Sequence, residues 1–204
     1  MADFGWRCGV LLLAVALDVM FGEPPNRFHP VAWMGSVIGA LGQLCRSTQP
    51  TLRFVWGVGI VVAGVGALGV VGWGIEHLKT WAAPHAFPML LVLILHAVVL
   101  KSCVGIRSLS SAASSVVESL RGHDLQTARE RLGFHLVSRD VATLSPSQAS
   151  AASIESVAEN TSDSVVAPLF FYMIAGIPGA LIYRFANTCD AMLGYRTPEL
   201  IWLG

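Results

Sequence analysis

The sequence predicts an all-α, polytopic integral membrane protein, and three observations carry that prediction. Hydrophobic residues fill 54% of the 204 positions and charged residues only 13%, against roughly a quarter charged in soluble domains. Mean hydropathy is +0.62. The stretch Trp56–Ile75 is uncharged throughout, and at the helical rise it covers ~30 Å, the thickness of the hydrocarbon core. Strand-like alternation with hairpin turns, internal repeats and low-complexity tracts are all missing, so helices must carry the fold.

The elements follow in order along a single domain, 1–204. The first apolar segment, 6–21, is short and contains Asp18. Arg7 and the Ala14-Val15-Ala16 triplet give it some character of a signal peptide, but the apolar run continues to Phe21, which favours a membrane anchor. Over 31–45, Met34, Val37, Ile38, Leu41 and Leu44 form a helical stripe, expected as an amphipathic helix at the membrane surface. The span 56–75 sets Gly59, Ala63 and Ala67 four apart on one face, which suits close helix packing in lipid. The next span is 87–106, with Pro88 near its start and His96 and Lys101 inside it.

A helical region follows over 107–164, with Asp124 positioned to cap a helix and Ser145-Pro146-Ser147-Gln148 reading as a capping box. The last apolar stretch, 165–183, spans or re-enters. Pro168 and the breaker Gly176-Ile177-Pro178-Gly179 point to two half-helices that enter the membrane and return. Such backbone is tolerated at that depth only when buried in protein or lining a cavity.

Charge orients the chain. With loops 22–55 and 107–164 in the cytoplasm, that side holds Arg27, Arg46, Arg53, Lys101, Arg107, Arg121, Arg129, Arg131 and Arg139, and the outer side only Arg7 and Lys79. A net charge of zero argues against a nucleic-acid partner. The four cysteines lie far apart without a CxxC or Cys/His cluster, so neither a disulfide framework nor a zinc site is indicated. No phosphate loop, dinucleotide fingerprint or nucleophile elbow is present.

Candidate chemistry lies in the polar motifs beside the apolar segments. Glu155, Glu159 and Asp163 are spaced four apart, so one helix face carries three carboxylates, and a bound cation would relieve their repulsion. Asn187 and Asp190, followed by Tyr195, add an amide and a carboxylate after the membrane re-entry, and Asn160 lies within the acidic run. Asp18 in a nominal span costs ~2.5–3.5 kcal/mol on insertion scales and is followed by Glu23 and His29. Lys101 and the pair Arg139-Asp140 are candidates for phosphate or anion contacts. On these residues alone the chain is a helical membrane protein with a cytoplasm-facing acidic, cation-binding site.

Five motifs occur in an order that resembles a known family. They are Asp18…Gly22-Glu23-Pro24…His29-Pro30-Val31…Met34-Gly35, Arg139-Asp140, Glu155 through Asp163, Ala167-Pro168-Leu169-Phe170, and Asn187-Thr188-x-Asp190…Gly194-Tyr195. This pattern resembles the cobalamin biosynthesis protein family CobD/CbiB, adenosylcobinamide-phosphate synthase. The resemblance implies a multi-pass enzyme of the bacterial inner membrane that joins aminopropanol or its phosphate to the free propionate of adenosylcobyric acid. It implies ATP as co-substrate and Mg²⁺ as cofactor, and other late-pathway membrane enzymes as partners. Amide formation from a carboxylate needs prior activation, and an acyl phosphate meets that need.

Under this resemblance Glu155, Glu159, Asp163 and Asp190 are expected to hold metal. Lys101 and Arg139 are expected to contact phosphate or propionate, and Asp18, Glu23, His29 and Asp140 to act in catalysis. Asn160, Asn187 and Tyr195 are expected to bind substrate. The chain departs from the family pattern at Glu23, Ser138, Val141, Ser164 and Arg184, where Asp, Gly, Thr, Gly and Lys are usual. Members of the family continue beyond this point, so the chain is expected to be C-terminally truncated. A non-enzymatic scaffold or sensor of the AmpE type is the alternative with the same architecture. A CDP-alcohol phosphotransferase is disfavoured, because its Asp-x-x-Asp-Gly-x-x-Ala-Arg pattern is absent.

Overall fold

The computed structural model describes residues 2–138, 140–195, 197, 198 and 200–204. Their regular elements are all helical: α1 (Ala2–Phe21), α2 (Pro30–Leu44), α3 (Pro50–Ala82), α4 (Ala86–Ser102), α5 (Ile106–Arg121), α6 (Leu125–His135), α7 (Pro146–Thr161) and α8 (Ala167–Leu193). Four stretches are long and apolar enough to cross a membrane, namely Asp3–Phe21, Pro50–Ala82, Ala86–Arg121 and Pro146–Leu193. The protein is an all-α polytopic membrane protein.

The predicted half-helices are present. Gly176 takes φ 66° and ψ −153°, a conformation open to glycine and strained for other residues. Beyond it the chain doubles back. The rings of Phe171 and Tyr183 stack at 5.1 Å, and Asn187 Nδ2 donates to Asp163 Oδ2 at 3.3 Å. In an unbroken helix those last two residues would stand ~36 Å apart. The leg 167–175 enters, the leg 177–193 returns, and both flanking polar motifs emerge at the same end of the bundle.

The prolines fit this geometry for specific reasons. Pro178 stands in the first turn of the returning leg, where its missing N–H leaves no bond unmade. Pro168 cannot donate to the carbonyl of Ser164, four residues back, and a five-residue π-turn over Ser162–Val166 absorbs the crowding. The freed Ser164 carbonyl accepts instead from Gly105 N–H at 3.0 Å. That bond ties the hairpin entrance to the loop behind Lys101. It also shortens the second predicted span, because α4 ends at Ser102 and the chain breaks over Cys103–Gly105 before α5 begins.

At the opposite end an ionic clasp grips the hairpin tip. Arg7 donates to the carbonyls of Met173 and Ile174, at 2.6 and 3.0 Å, where the entering leg ends. Glu76 Oε2 accepts from Ile177 N–H at 3.3 Å, where the returning leg begins. Each charge thus faces the helix terminus of opposite polarity. Asp3 pairs with both Arg7 and Lys79, and Lys79 pairs with Glu76, which binds α1 to α3 around the tip. His96, fully buried beneath the clasp, hydrogen-bonds the Val92 carbonyl at 2.8 Å and lies edge-on to Trp6.

Helix α3 packs antiparallel along the returning leg. Its contact positions are Gly57, Gly64 and Gly72, where an added Cβ would fall within 3.0 Å of Leu203, Phe185 and Pro178 respectively. This corrects the expectation for Gly59, Ala63 and Ala67, all three of which are exposed. The packing stripe follows a spacing of seven to eight residues, which keeps one face toward a nearly parallel partner. Between α1, α4 and α8 the core is built from Val10, Ala14, Ala97, Leu100, Tyr172 and Ile177. Helix α2 lays Ile38 against the returning leg rather than resting only on the surface. A separate small core of Val116, Leu132, Ala149 and Ala152 joins α5, α6 and α7, the helical region predicted over 107–164. The predicted caps are in place: Asp124 accepts from Thr127 N–H at 3.0 Å, and Ser145 and Gln148 form a capping box.

Candidate functional site

The polar groups gather where both legs of the hairpin emerge. Asp18, on the last turn of α1, is completely buried. Its Oδ2 accepts from Arg107 N–H at 3.0 Å, while Oδ1 lies 3.8 Å from Lys101 Nζ and has no hydrogen-bond partner. A carboxylate at a helix C-terminus is disfavoured by the dipole. Two cations offset this: the Arg107 guanidinium donates to the carbonyls of Val19, at 3.2 Å, and Met20, and the buried Lys101 ammonium donates to the carbonyl of Gly22. Gly22 ends α1 with φ 65°, the left-handed conformation that suits glycine at this position.

The turn after Gly22 carries Glu23, whose Oε1 accepts from Ser108 Oγ at 2.8 Å. His29 follows, buried to 7% exposure, with Nδ1 accepting from Val31 N–H at 3.2 Å as the cap of α2. Burial pushes the His29 imidazole below its ordinary range; the Glu23 carboxylate opposes that shift, and the Lys101 and Arg184 charges reinforce it. The folded state therefore holds His29 neutral, and the stability it contributes is complete above the unfolded value of 6.5. As pH falls below that value the unfolded chain takes up the proton first, and stability declines. Melting curves between pH 7.5 and 5.5 are expected to show this loss, and His29→Gln is expected to flatten it.

The hairpin legs complete the constellation. Asp163 faces Asn187, and Arg184 Nη1 donates to Ser164 Oγ at 3.4 Å while its Nε is buried without a partner. Ser164 has no positive φ, so a serine is accommodated here without strain and supplies the acceptor for Arg184. Asp190, one turn beyond Asn187, is exposed, as is Tyr195.

The other predicted site residues take different places. Glu155 and Glu159 lie exposed on α7 beside a cavity of about 200 Å³ lined also by Val137, Ser138 and Ser156. Asn160 turns back to its own helix, donating to the Ser156 carbonyl at 2.9 Å. Asp140 Oδ1 accepts from Ala142 N–H at 2.9 Å in a local turn, and Arg139 falls outside the described residues. Among the described residues, no three His, Cys, Asp or Glu side chains form a group that could hold a metal ion. Glu155 and Glu159 line the α7 cavity, whereas Asp163 pairs with Asn187 at the hairpin mouth.

A cleft of about 680 Å³ opens beside the Gly22–Pro25 turn, with Glu23 and Lys101 at its polar end and Leu17, Met34, Leu68 and Val98 among its walls. Sequence reasoning missed Glu76, Arg107, Ser108 and the unpartnered Nε of Arg184. Only Glu76 had a usable signal, as an acid at the close of an uncharged span.

Fold and site together define a polytopic membrane protein with a helical hairpin and a buried acid–lysine centre at its mouth. The chain belongs to the CobD/Cbib protein family, whose match covers residues 11–204. It is 39% identical over 194 residues to the cobalamin biosynthesis protein CobD of Chromobacterium violaceum, covering 95% of this chain and 60% of that protein. The probable cobalamin biosynthesis protein CobD of Methanothermobacter thermautotrophicus is 37% identical over 198 residues, covering 93% and 59%. That of Pyrococcus furiosus is 38% identical over 196 residues, covering 95% and 63%. The chain thus spans about three fifths of the length of the curated relatives it matches. No solved structure matches it.

Proposed function

We propose that the protein acts in cobalamin biosynthesis as an amide-forming ligase of the bacterial inner membrane. It would use ATP to join aminopropanol, or aminopropanol phosphate, to the free propionate of adenosylcobyric acid, with the hairpin mouth facing the cytoplasm. Family membership supports the pathway. The observation that carries the chemistry is the meeting of Asp18, Glu23, His29 and Lys101 with the Asp163–Asn187 and Ser164–Arg184 pairs at one end of the bundle.

The residues fit Mg²⁺ in a specific sense. Mg²⁺ at nucleotide sites is usually held by one or two carboxylates plus substrate phosphates, with waters retained, so a closed protein cage is not required. Asp163 at the hairpin mouth would supply such a carboxylate, the remaining positions falling to water and nucleotide phosphates. Bound Mg²⁺ supplies neutralisation of the phosphoryl group under transfer. Arg184, with an unsatisfied buried Nε, and Lys101 would receive propionate or phosphate oxygens. Neutral His29 can accept a proton from the attacking amine only through Nε2, because Nδ1 is occupied by Val31 N–H.

Complementation tests the reading. In a strain blocked between cobyric acid and cobinamide, this gene is expected to restore growth on cobyric acid. Asp163→Asn, made at the same level, is expected to fail, with ligase turnover reduced at least about 100-fold. Absence of rescue by the unaltered gene, or full activity of Asp163→Asn with unchanged Mg²⁺ dependence, contradicts it.

A further inference from the structure

An apolar slot of about 540 Å³ runs between the end of α2 and the start of α3, away from the hairpin mouth. Its walls include Leu44, Leu52 and Val55, its floor is the small-residue stripe Gly59–Ala63, and Arg46 and Ser47 stand at its rim. Among the described residues the stripe meets no neighbouring helix: Gly59 has only open space where a side chain would begin, and Ala63 and Ala67 are exposed. We infer that this slot binds an anionic phospholipid, one acyl chain lying over Gly59 and Ala63 and the phosphate meeting Arg46.

Depth supports this assignment. The uncharged stretch of α3 starts at Trp56, whose indole N–H donates to the Leu41 carbonyl at 2.9 Å and fixes the ring at the level where aromatic residues mark the membrane interface. Arg53, one turn earlier, and Arg46, on the preceding loop, then stand in the headgroup layer. The slot descends from Trp56 to Ala63, seven residues or ~10 Å into the hydrocarbon. It is continuous with lipid-facing Val58 and Val62, both exposed.

Charge selects the headgroup. Between Glu23 and Glu76 the sequence contains Arg27, Arg46 and Arg53 and not one Asp or Glu. No Asp or Glu in residues 24–75 offers the rim a counter-charge, so a headgroup with net negative charge is favoured over a zwitterionic one. A second helix laid on the stripe would be drawn by the small residues but would leave the arginines without a counter-ion.

The test uses the full chain reconstituted with equal amounts of phosphatidylglycerol and phosphatidylcholine of identical acyl chains, read by native mass spectrometry. The expected result is about fivefold preferential retention of phosphatidylglycerol, the effect of one cation near an anionic surface. Arg46→Gln, an exposed position whose melting is expected to be unchanged, brings the ratio to unity, and Ala63→Trp removes bound lipid of both kinds. Equal retention by the unaltered protein, or a preference that survives Arg46→Gln, overturns the proposal. So does disulfide cross-linking of two copies through Ala63→Cys, which would put a second chain in the slot.

Discussion

Gly176→Ala is expected to lower the thermal midpoint of the detergent-solubilised protein by about 10 °C. The backbone there adopts φ 66° and ψ −153°, which costs a residue with a Cβ about 1–3 kcal/mol. The new methyl carbon would also stand 2.7 Å from Glu76 Oε2 and push that carboxylate away from Ile177 N–H. Loss of a hydrogen bond to a charged group adds about 1.5–3 kcal/mol. A sum near 3–5 kcal/mol corresponds to the stated shift for a chain of this size. Gly74→Ala serves as the comparison. It lies on the same region of α3 with open space around it, so alanine there is expected to be neutral or stabilising by about 0.5–1 kcal/mol. Equal melting of the two variants would contradict the role assigned to Gly176.

The second large effect is expected at the buried ion pair. Asp18→Asn leaves the Lys101 ammonium buried without its counter-charge, and breaking such a pair from one side costs about 3–5 kcal/mol. The double variant Asp18→Asn/Lys101→Met removes both charges and is expected to recover a large part of that stability, because no uncompensated ion remains. Ligase activity is expected to stay absent in the double variant, since the cation proposed to meet the propionate or phosphate has gone. Stability and activity are thereby separated: melting reports the pair, and turnover reports Lys101. Recovery of both together would make the pair purely structural, and failure to recover either would place Lys101 in the fold by its hydrogen bond to Gly22 rather than by Asp18.

Much of this architecture is legible in the chain because its signals are local. The uncharged run after Trp56, the Ser145–Gln148 box and the Gly-x-Pro-Gly breaker each act through their own backbone, so a helix, a cap and a reversal follow from the residues themselves. The hairpin reading also brings the acidic run and the Asn187–Asp190 motif to one end, but the Asp163–Asn187 hydrogen bond itself has no signal in the sequence. Three further features were not legible, for physical reasons. The clasp joins Arg7, Glu76 and the tip of a hairpin across 101 residues of separation in the case of Glu76 and Ile177, and no periodicity reports such a contact. The π-turn at Ser162 depends on Pro168 releasing a carbonyl that a distant loop then takes, a contact no local spacing reports. On α3 two small-residue stripes compete. Gly64 and Gly72 meet Phe185 and Pro178 of the returning leg and Gly57 meets Leu203 beyond it, contacts that depend on residues distant in the chain.

The hairpin is the claim on which the site depends, because without it Asp163 and Asn187 emerge on opposite sides of the membrane. Single cysteines at the exposed positions Ser162 and Ala186, in a chain lacking its four native cysteines, can be labelled with a membrane-impermeant maleimide applied to intact cells and to inverted vesicles. Labelling of both positions in inverted vesicles and of neither in intact cells is the predicted result. Labelling of the two from opposite sides would show that 165–183 spans the membrane.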